Sequence, residues 1–275
     1  MSADAPPGAT AGGHRELTSA TYWDEAWQRR NARAWNDLRW IQSRYNWVLF
    51  DHRLRARLPV DPGKRFLEVG CATGRWLIYF HRTFGYAVTG CDYSEPGCAE
   101  ARQSLASAGI SGEVIQDDLF RLQGRWDVIF SGGLIEHFTD AQGVLGKFTS
   151  LLNPGGFLVT IVPNLSGLSG AYHRWLKPET FTTHRVVTAA QLREWHAALG
   201  LGRVEVGALG SVVPSRFPRD VIRRRHPKTY RALWAVLGPV TWTTNRACLW
   251  GFRRAGVQIE SPRFSPYLYA IAEVA

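Results

Sequence analysis

Beyond residue 64 the chain alternates between two periodicities. Short runs of β-branched and apolar residues predict strands at 65–71, 87–93, 112–119, 126–132 and 157–163. The spacing between them predicts helices at 75–84, 96–108 and 140–152, the last followed by the turn Asn153-Pro154-Gly155-Gly156. Strand–helix alternation joins parallel strands by right-handed crossovers, which places helices on both faces of one sheet. The expected class is therefore α/β. Further on, Thr188 is a suitable N-cap for a helix at 188–199, with Gly200 just past its end. Strands near 203–209 and at 266–274 close the pattern.

Two segments break the rhythm. Residues 164–187 carry His173, Arg174, Trp175, Lys177, His184 and Arg185 and read as an insertion. Residues 217–256 read as a second insertion that is helical, basic and tryptophan-bearing. Ahead of the alternating region, Trp23, Trp27 and Trp35 sit four and eight residues apart, on one helical face. Residues 22–58 thus predict one or two amphipathic helices, stopped by Pro59 and Asp61-Pro62-Gly63. Residues 1–20 are rich in Ala, Gly, Pro, Ser and Thr and predict a flexible tail. The organisation expected is a tail over 1–20, a helical lid over 21–60, and one domain over 61–275 carrying both insertions.

Composition narrows the class. With 275 residues and 45% apolar content, the chain can bury the core of one α/β domain with additions. It is not a disordered, collagen-like or disulfide-framework sequence. The first 20 residues lack the apolar centre of a signal peptide, and the longest apolar stretch, 232–242, is broken by Gly238 and Pro239. Cys71, Cys91, Cys98 and Cys248 form no C-x-x-C pair, so a reduced, cytoplasmic protein is expected. The net charge is +10, and only Lys64, Lys147, Lys177 and Lys228 among the 33 cationic residues are lysines. An Arg-rich surface accounts for this, with an anionic partner as the sharper alternative. Trp234, Trp242 and Trp250 recur every eight residues near the densest basic cluster, Arg223-Arg224-Arg225-His226. They read as packed core, with a membrane-surface face as the alternative.

The strongest local signal is Phe66-Leu67-Glu68-Val69-Gly70-Cys71-Ala72-Thr73-Gly74-Arg75-Trp76, an apolar strand entering a glycine turn that opens a helix. Glycine there permits positive φ and close approach of a ligand to the backbone. Such a turn lies at the carboxyl edge of the sheet, where open α/β sheets bind ligands. The next strand ends in Cys91-Asp92-Tyr93, and an acid there can accept both hydroxyls of a ribose. The third ends in Gln116-Asp117-Asp118-Leu119, where a carboxylate can accept from an adenine amino group. Each residue alone is an ordinary turn former, but three successive strand ends point together to an adenosine-bearing ligand. Neither G-x-G-x-x-G nor a P-loop lysine is present.

Glu68-Val69-Gly70-Cys71-Ala72-Thr73-Gly74 resembles the first motif of the class I S-adenosylmethionine-dependent methyltransferases, E/D-x-G-x-G-x-G, with Ala72 at the middle glycine. Ser131-Gly132-Gly133-Leu134-Ile135-Glu136-His137-Phe138 resembles the loop after that family's fourth strand, and Leu151-Leu152-Asn153-Pro154-Gly155-Gly156 the turn before its fifth. The resemblance covers residues 22–209 and the last strand. It implies a Rossmann-like, seven-stranded, mostly parallel sheet of order 3-2-1-4-5-7-6, with 266–274 as the antiparallel seventh strand. It also implies S-adenosylmethionine as cofactor and S-adenosylhomocysteine as product. On this likeness the first motif supplies Glu68, Gly70, Cys71 and Gly74 to the cofactor. Asp92 would serve the ribose and Asp118 the adenine, with Tyr93 and Leu119 beside them as further cofactor contacts. Ser131 and Gly132 would approach from the fourth strand, and Tyr22, within Tyr22-Trp23-Asp24, from the lid.

Methyl transfer is an in-line displacement at a sulfonium carbon, in which the protein orients the acceptor and removes its proton. His137 is the first candidate base, with Glu136 beside it and His173 and His184 behind it. No cluster has metal-ligand spacing, so metal-independent chemistry is expected. Trp23, Trp27, Arg174 and Trp175 are candidate acceptor contacts, for an apolar or anionic small molecule. O-methylation is preferred, with C- and N-methylation open. Three rivals stand beside this reading: a nucleic-acid methyltransferase, a nicotinamide oxidoreductase, and a non-catalytic cofactor-binding protein of the same fold. Base amino-methylating enzymes carry Asn/Asp-Pro-Pro-aromatic after the fourth strand, where this chain reads Ser131-Gly132-Gly133-Leu134.

Overall fold

The computed structural model describes residues 16–28, 37–211, 219–225 and 227–275. Trp35, expected on the face of Trp23 and Trp27, lies outside them. β1 (Arg65–Val69) is buried at its last four positions because it lies between two parallel neighbours, β2 (Ala87–Asp92) and β4 (Trp126–Gly132). β3 (Glu113–Gln116) pairs with β2 at one edge. β5 (Leu152–Pro163) continues beyond β4, and β7 (Tyr267–Val274) inserts antiparallel between β5 and β6 (Leu201–Leu209). The order is β3-β2-β1-β4-β5-β7-β6, as the resemblance implies. β5 starts five residues before the fifth strand the pattern predicts: the turn at Asn153–Gly156 is absorbed where the β4–β5 register shifts between Trp126 and Val128.

Helices α4 (Arg75–Phe84), α5 (Glu95–Ala108), α6 (Ala141–Ser150) and α9 (Ala189–Ala198) cover the sheet. Thr188 caps α9 with a full capping box to Gln191, and Gly200 follows at φ 70°. On one face, Phe66, Phe80, Phe84 and Tyr86 stack, and Trp76 meets Trp40, Trp47, Phe50, Tyr79 and Phe130. On the other, Leu145, Phe148 and Leu192 pack over Ile129, Leu158 and Leu268.

Among the described residues, the segment expected as one or two helices of a lid holds three: α1 (Ala20–Gln28), α2 (Arg39–Gln42) and α3 (Tyr45–Arg57). The first insertion holds α7 (Leu168–Leu176) and α8 (Thr180–Thr183). The second holds α10 (Arg219–Arg225) and α11 (Pro227–Ala255). Asn245 pins α11, accepting from the Tyr45 backbone at 2.9 Å and donating to the Ser43 carbonyl at 3.0 Å. An eight-residue step advances about 80° around a helix. Trp234, Trp242 and Trp250 therefore point in different directions, and the core reading fails for two of them: Trp242 is 61% and Trp250 68% exposed, while Trp234 is half-buried.

His196 marks a pH weakness in this frame. It is fully buried, its Nδ1 donates to the Leu192 carbonyl at 2.7 Å, and Nε2 sits 3.3 Å from the Thr160 hydroxyl. Burial pushes its pKa down to about 4, partly offset by the Leu192 hydrogen bond. The unfolded chain then binds a proton below about pH 6.5 that the folded chain refuses until about pH 4. Stability should fall as pH drops through that window, by about 3 kcal/mol at its end. Denaturant melts of wild type and His196→Gln between pH 7 and pH 4 check this. Equal slopes against pH would show that His196 is not the cause.

Candidate active site

The carboxyl ends of β1, β2, β3 and β4 converge on a cavity of about 420 Å³. Between β1 and α4 the backbone enters the left-handed region at Gly70 (φ 76°), Thr73 (φ 79°) and Gly74 (φ 70°). Thr73 is the only non-glycine with positive φ among the described residues, so strain is concentrated at this loop. Gly74 is needed for a further reason: a Cβ there would lie 3.0 Å from the Ala101 carbonyl oxygen, where α5 crosses.

The predicted cofactor residues divide into two groups. Glu68, Gly70, Asp92, Tyr93, Asp118, Leu119 and Gly132 line the cavity together. Cys71, Gly74, Ser131 and Tyr22 do not. Cys71 turns under the loop and packs against Gly90, where a Cβ would meet its sulfur at 2.7 Å. Ser131 is fully buried behind the wall, and Tyr22 is 42% exposed on α1. Asp92 is held by backbone donors, Oδ1 accepting from Ser94 N at 2.9 Å and Oδ2 from Ala72 N at 3.2 Å. Burial raises its pKa, and these two donors oppose the rise.

Trp23 and Trp27 stack at 6.0 Å and close one side of the cavity. Arg174 and Trp175 do not reach it: Arg174 lies over Phe181 at 4.9 Å, and Trp175 is 82% exposed. His137 is buried at the back of the wall, its ring edge-on to Trp23 at 5.0 Å. Its Nδ1 is 2.6 Å from the Thr183 carbonyl, which can only accept, so Nδ1 carries hydrogen and Nε2 is the basic nitrogen. Nε2 is 3.9 Å from Glu136 Oε1, and the His184 ring lies 4.3 Å from that of His137. Glu136, His137 and His184 bring ligand-type atoms within 4.8 Å of one another. Sequence spacing did not reveal this trio, because His184 arrives from the insertion. His173 stays apart, its Nδ1 donating to Ser169 within α7 at 2.8 Å.

Sequence reasoning missed Glu16 and Thr18. Within the expected tail over 1–20, the described residues begin at Glu16, which bridges to Phe138, while Leu17 N donates to the His137 carbonyl at 2.7 Å. Glu16 accepts from Tyr93 at 2.8 Å and from Thr18 at 2.9 Å, at the cavity wall. Trp76, Leu134 and Phe138 also line the cavity and were not assigned.

A family described as "Methyltransferase domain" matches residues 40–206. The chain belongs to that family. A curated ubiquinone biosynthesis O-methyltransferase from Azotobacter vinelandii is 28% identical over 210 residues, 72% of this chain and 82% of the relative. A trans-aconitate 2-methyltransferase from Deinococcus radiodurans is 29% identical over 181 residues, 60% of this chain and 68% of the relative. Among solved structures, Haemonchus contortus phosphoethanolamine N-methyltransferase 2 with S-adenosyl-L-methionine superposes with a TM-score of 0.54 at 18% identity, covering 93% of this chain and 57% of that one. That likeness concerns the fold alone.

As a member of that family the chain uses S-adenosylmethionine, and the cavity suits it. Glu68 Oε2 is buried in the wall with no hydrogen-bond partner, and burial holds the Glu68 carboxyl well above its ordinary pKa. Burial also raises Glu16. The wall sets five carboxyl groups, Glu16, Glu68, Asp92, Asp117 and Asp118, against one arginine, Arg75, and a sulfonium with an ammonium group would favour their ionised forms. Among the described residues, no helix is long and apolar enough to cross a membrane.

Proposed function

We propose that this methyltransferase methylates an oxygen of a small acceptor, apolar or anionic, with His137 as base and without a metal. The fixed tautomer of His137 carries the reading, because it directs a basic Nε2 toward Glu136 rather than toward a backbone donor. Bound S-adenosylmethionine supplies an electrophilic methyl group. Asp92 and Asp118 would hold its ribose and adenine, and Glu68 its ammonium end, through groups that already face the cavity. Trp23, Trp27, Leu134 and Phe138 give an apolar wall that excludes water. His137 Nε2 takes the acceptor proton, and the charge of Glu136, 3.9 Å from that nitrogen, stabilises the resulting imidazolium. Trp23 lines the cavity and packs edge-on against His137, so an acceptor that reaches Nε2 from the cavity would pass its ring. Oxygen is preferred because the Azotobacter relative is named an O-methyltransferase and an oxygen acid gains most from a base.

The test is incubation with methyl-labelled cofactor and a panel of phenols and carboxylic acids, with and without EDTA, read by mass spectrometry and NMR. Label on oxygen at an EDTA-insensitive rate is expected. Label on carbon or nitrogen would overturn the acceptor assignment. A rate lost to EDTA and restored by a divalent ion would reassign Glu136, His137 and His184 as metal ligands.

A further inference from the structure

The charge of this protein is concentrated in one stretch. Residues 221–259 contain eight Lys and Arg and no Asp or Glu, against a net charge of +10 for the whole chain. The stretch is mostly α11, whose inward face is fixed by Asn245, Cys248, Leu249 and Phe252 against the α3 region. Its outward face is unusual. Val236 is 65%, Val240 53%, Trp242 61% and Trp250 68% exposed, on a helix that also exposes Lys228, Arg246 and Arg254. The Arg246 guanidinium lies over the Trp242 ring at 5.0 Å, so cation and indole share one patch.

We infer that the outer face of α11 is a docking surface for an anionic phospholipid bilayer. Three properties select that occupant. Exposed tryptophans beside arginines match the boundary between acyl chains and headgroups, where an indole places its apolar body inward and a guanidinium reaches the phosphates. The absence of any acid over 39 residues gives the uniform positive field that anionic headgroups attract. The exposed valines have no use on a nucleic acid, whose contacts are ionic, hydrogen-bonded or stacked, but they have one in an acyl layer. A second copy meeting through the same face would set Lys228, Arg246 and Arg254 against the same three cations. The helix would lie in the interface plane, since it is not apolar enough to cross.

Flotation of the full chain with vesicles tests this. Phosphatidylcholine vesicles containing phosphatidylglycerol should carry the protein upward, pure phosphatidylcholine should not, and added salt should release it. Trp242→Ser/Trp250→Ser and Arg246→Glu/Arg254→Glu should each lower the bound fraction by about tenfold or more. These positions lie outside the cavity, so calorimetric S-adenosylmethionine affinity and circular dichroism should stay at wild-type values and show that the fold is intact. Absence of binding to anionic vesicles, or equal binding by both variants, would overturn the proposal. So would a dimer in gel filtration that the tryptophan variant dissolves, or binding to a polynucleotide in place of vesicles.

Discussion

Replacing Asp92 with alanine should weaken S-adenosylmethionine binding about a hundredfold, measured by titration calorimetry. Each carboxylate oxygen already accepts one backbone N–H, from Ser94 and from Ala72. Each oxygen retains a second acceptor direction, enough for the two hydroxyls of a ribose. Hydrogen bonds to a charged group contribute about 1.5–3 kcal/mol each, and desolvation of the carboxylate takes back part of the pair, leaving about 3 kcal/mol. Asp92→Asn should lose less, since its amide oxygen still accepts. Because burial raises the Asp92 pKa and the ribose needs the ionised form, affinity should also decline as pH falls toward that raised value. The alanine variant also frees Ala72 N and Ser94 N, so ligand-free melting must be compared. Affinity within threefold of wild type would remove Asp92 from the ribose site.

The glycine loop and the strand-end acids were legible because backbone geometry dictates them. A strand that must turn into a helix within a few residues forces left-handed positions, and Gly70 and Gly74 mark them in any sequence. Asp92 and Asp118 follow as the next groups at the same edge. The strand order was not readable from periodicity. It came with the resemblance, since alternation fixes parallelism but not which edge each new strand joins.

What escaped depended on contacts between distant segments. Glu16 is a lone acid in a stretch of small residues, and only its docking to Phe138 and Tyr93 gives it a place in the wall. His184 meets His137 through an insertion whose path no local pattern encodes. Cys71 lies within the motif yet faces Gly90, because one residue of turn decides which side of the loop a side chain takes. Arg174 and Trp175 shared an insertion with His184, but a helix turns neighbours to different faces, and Trp175 faces solvent.

Replacing His137 with alanine should lower turnover by about 10²–10⁴-fold, the usual span for loss of a positioned base, while cofactor affinity stays near wild type. The asymmetry follows from position. His137 does not line the cofactor cavity, and its ring meets the lining residue Trp23 edge-on. Alanine also removes the hydrogen bond to Thr183 and leaves a void beside Trp23, so a drop in rate could come from packing alone. His137→Gln separates the two causes. Its amide can donate to the Thr183 carbonyl and fill much of the space, but it cannot take a proton near neutrality. If His137 acts as base, Gln is as slow as Ala, and the acid limb of the wild-type kcat profile vanishes in both. If His137 only props Trp23, Gln restores turnover and that limb persists. Unchanged turnover in the alanine variant would exclude both roles and return the search to His184, the remaining imidazole of the trio.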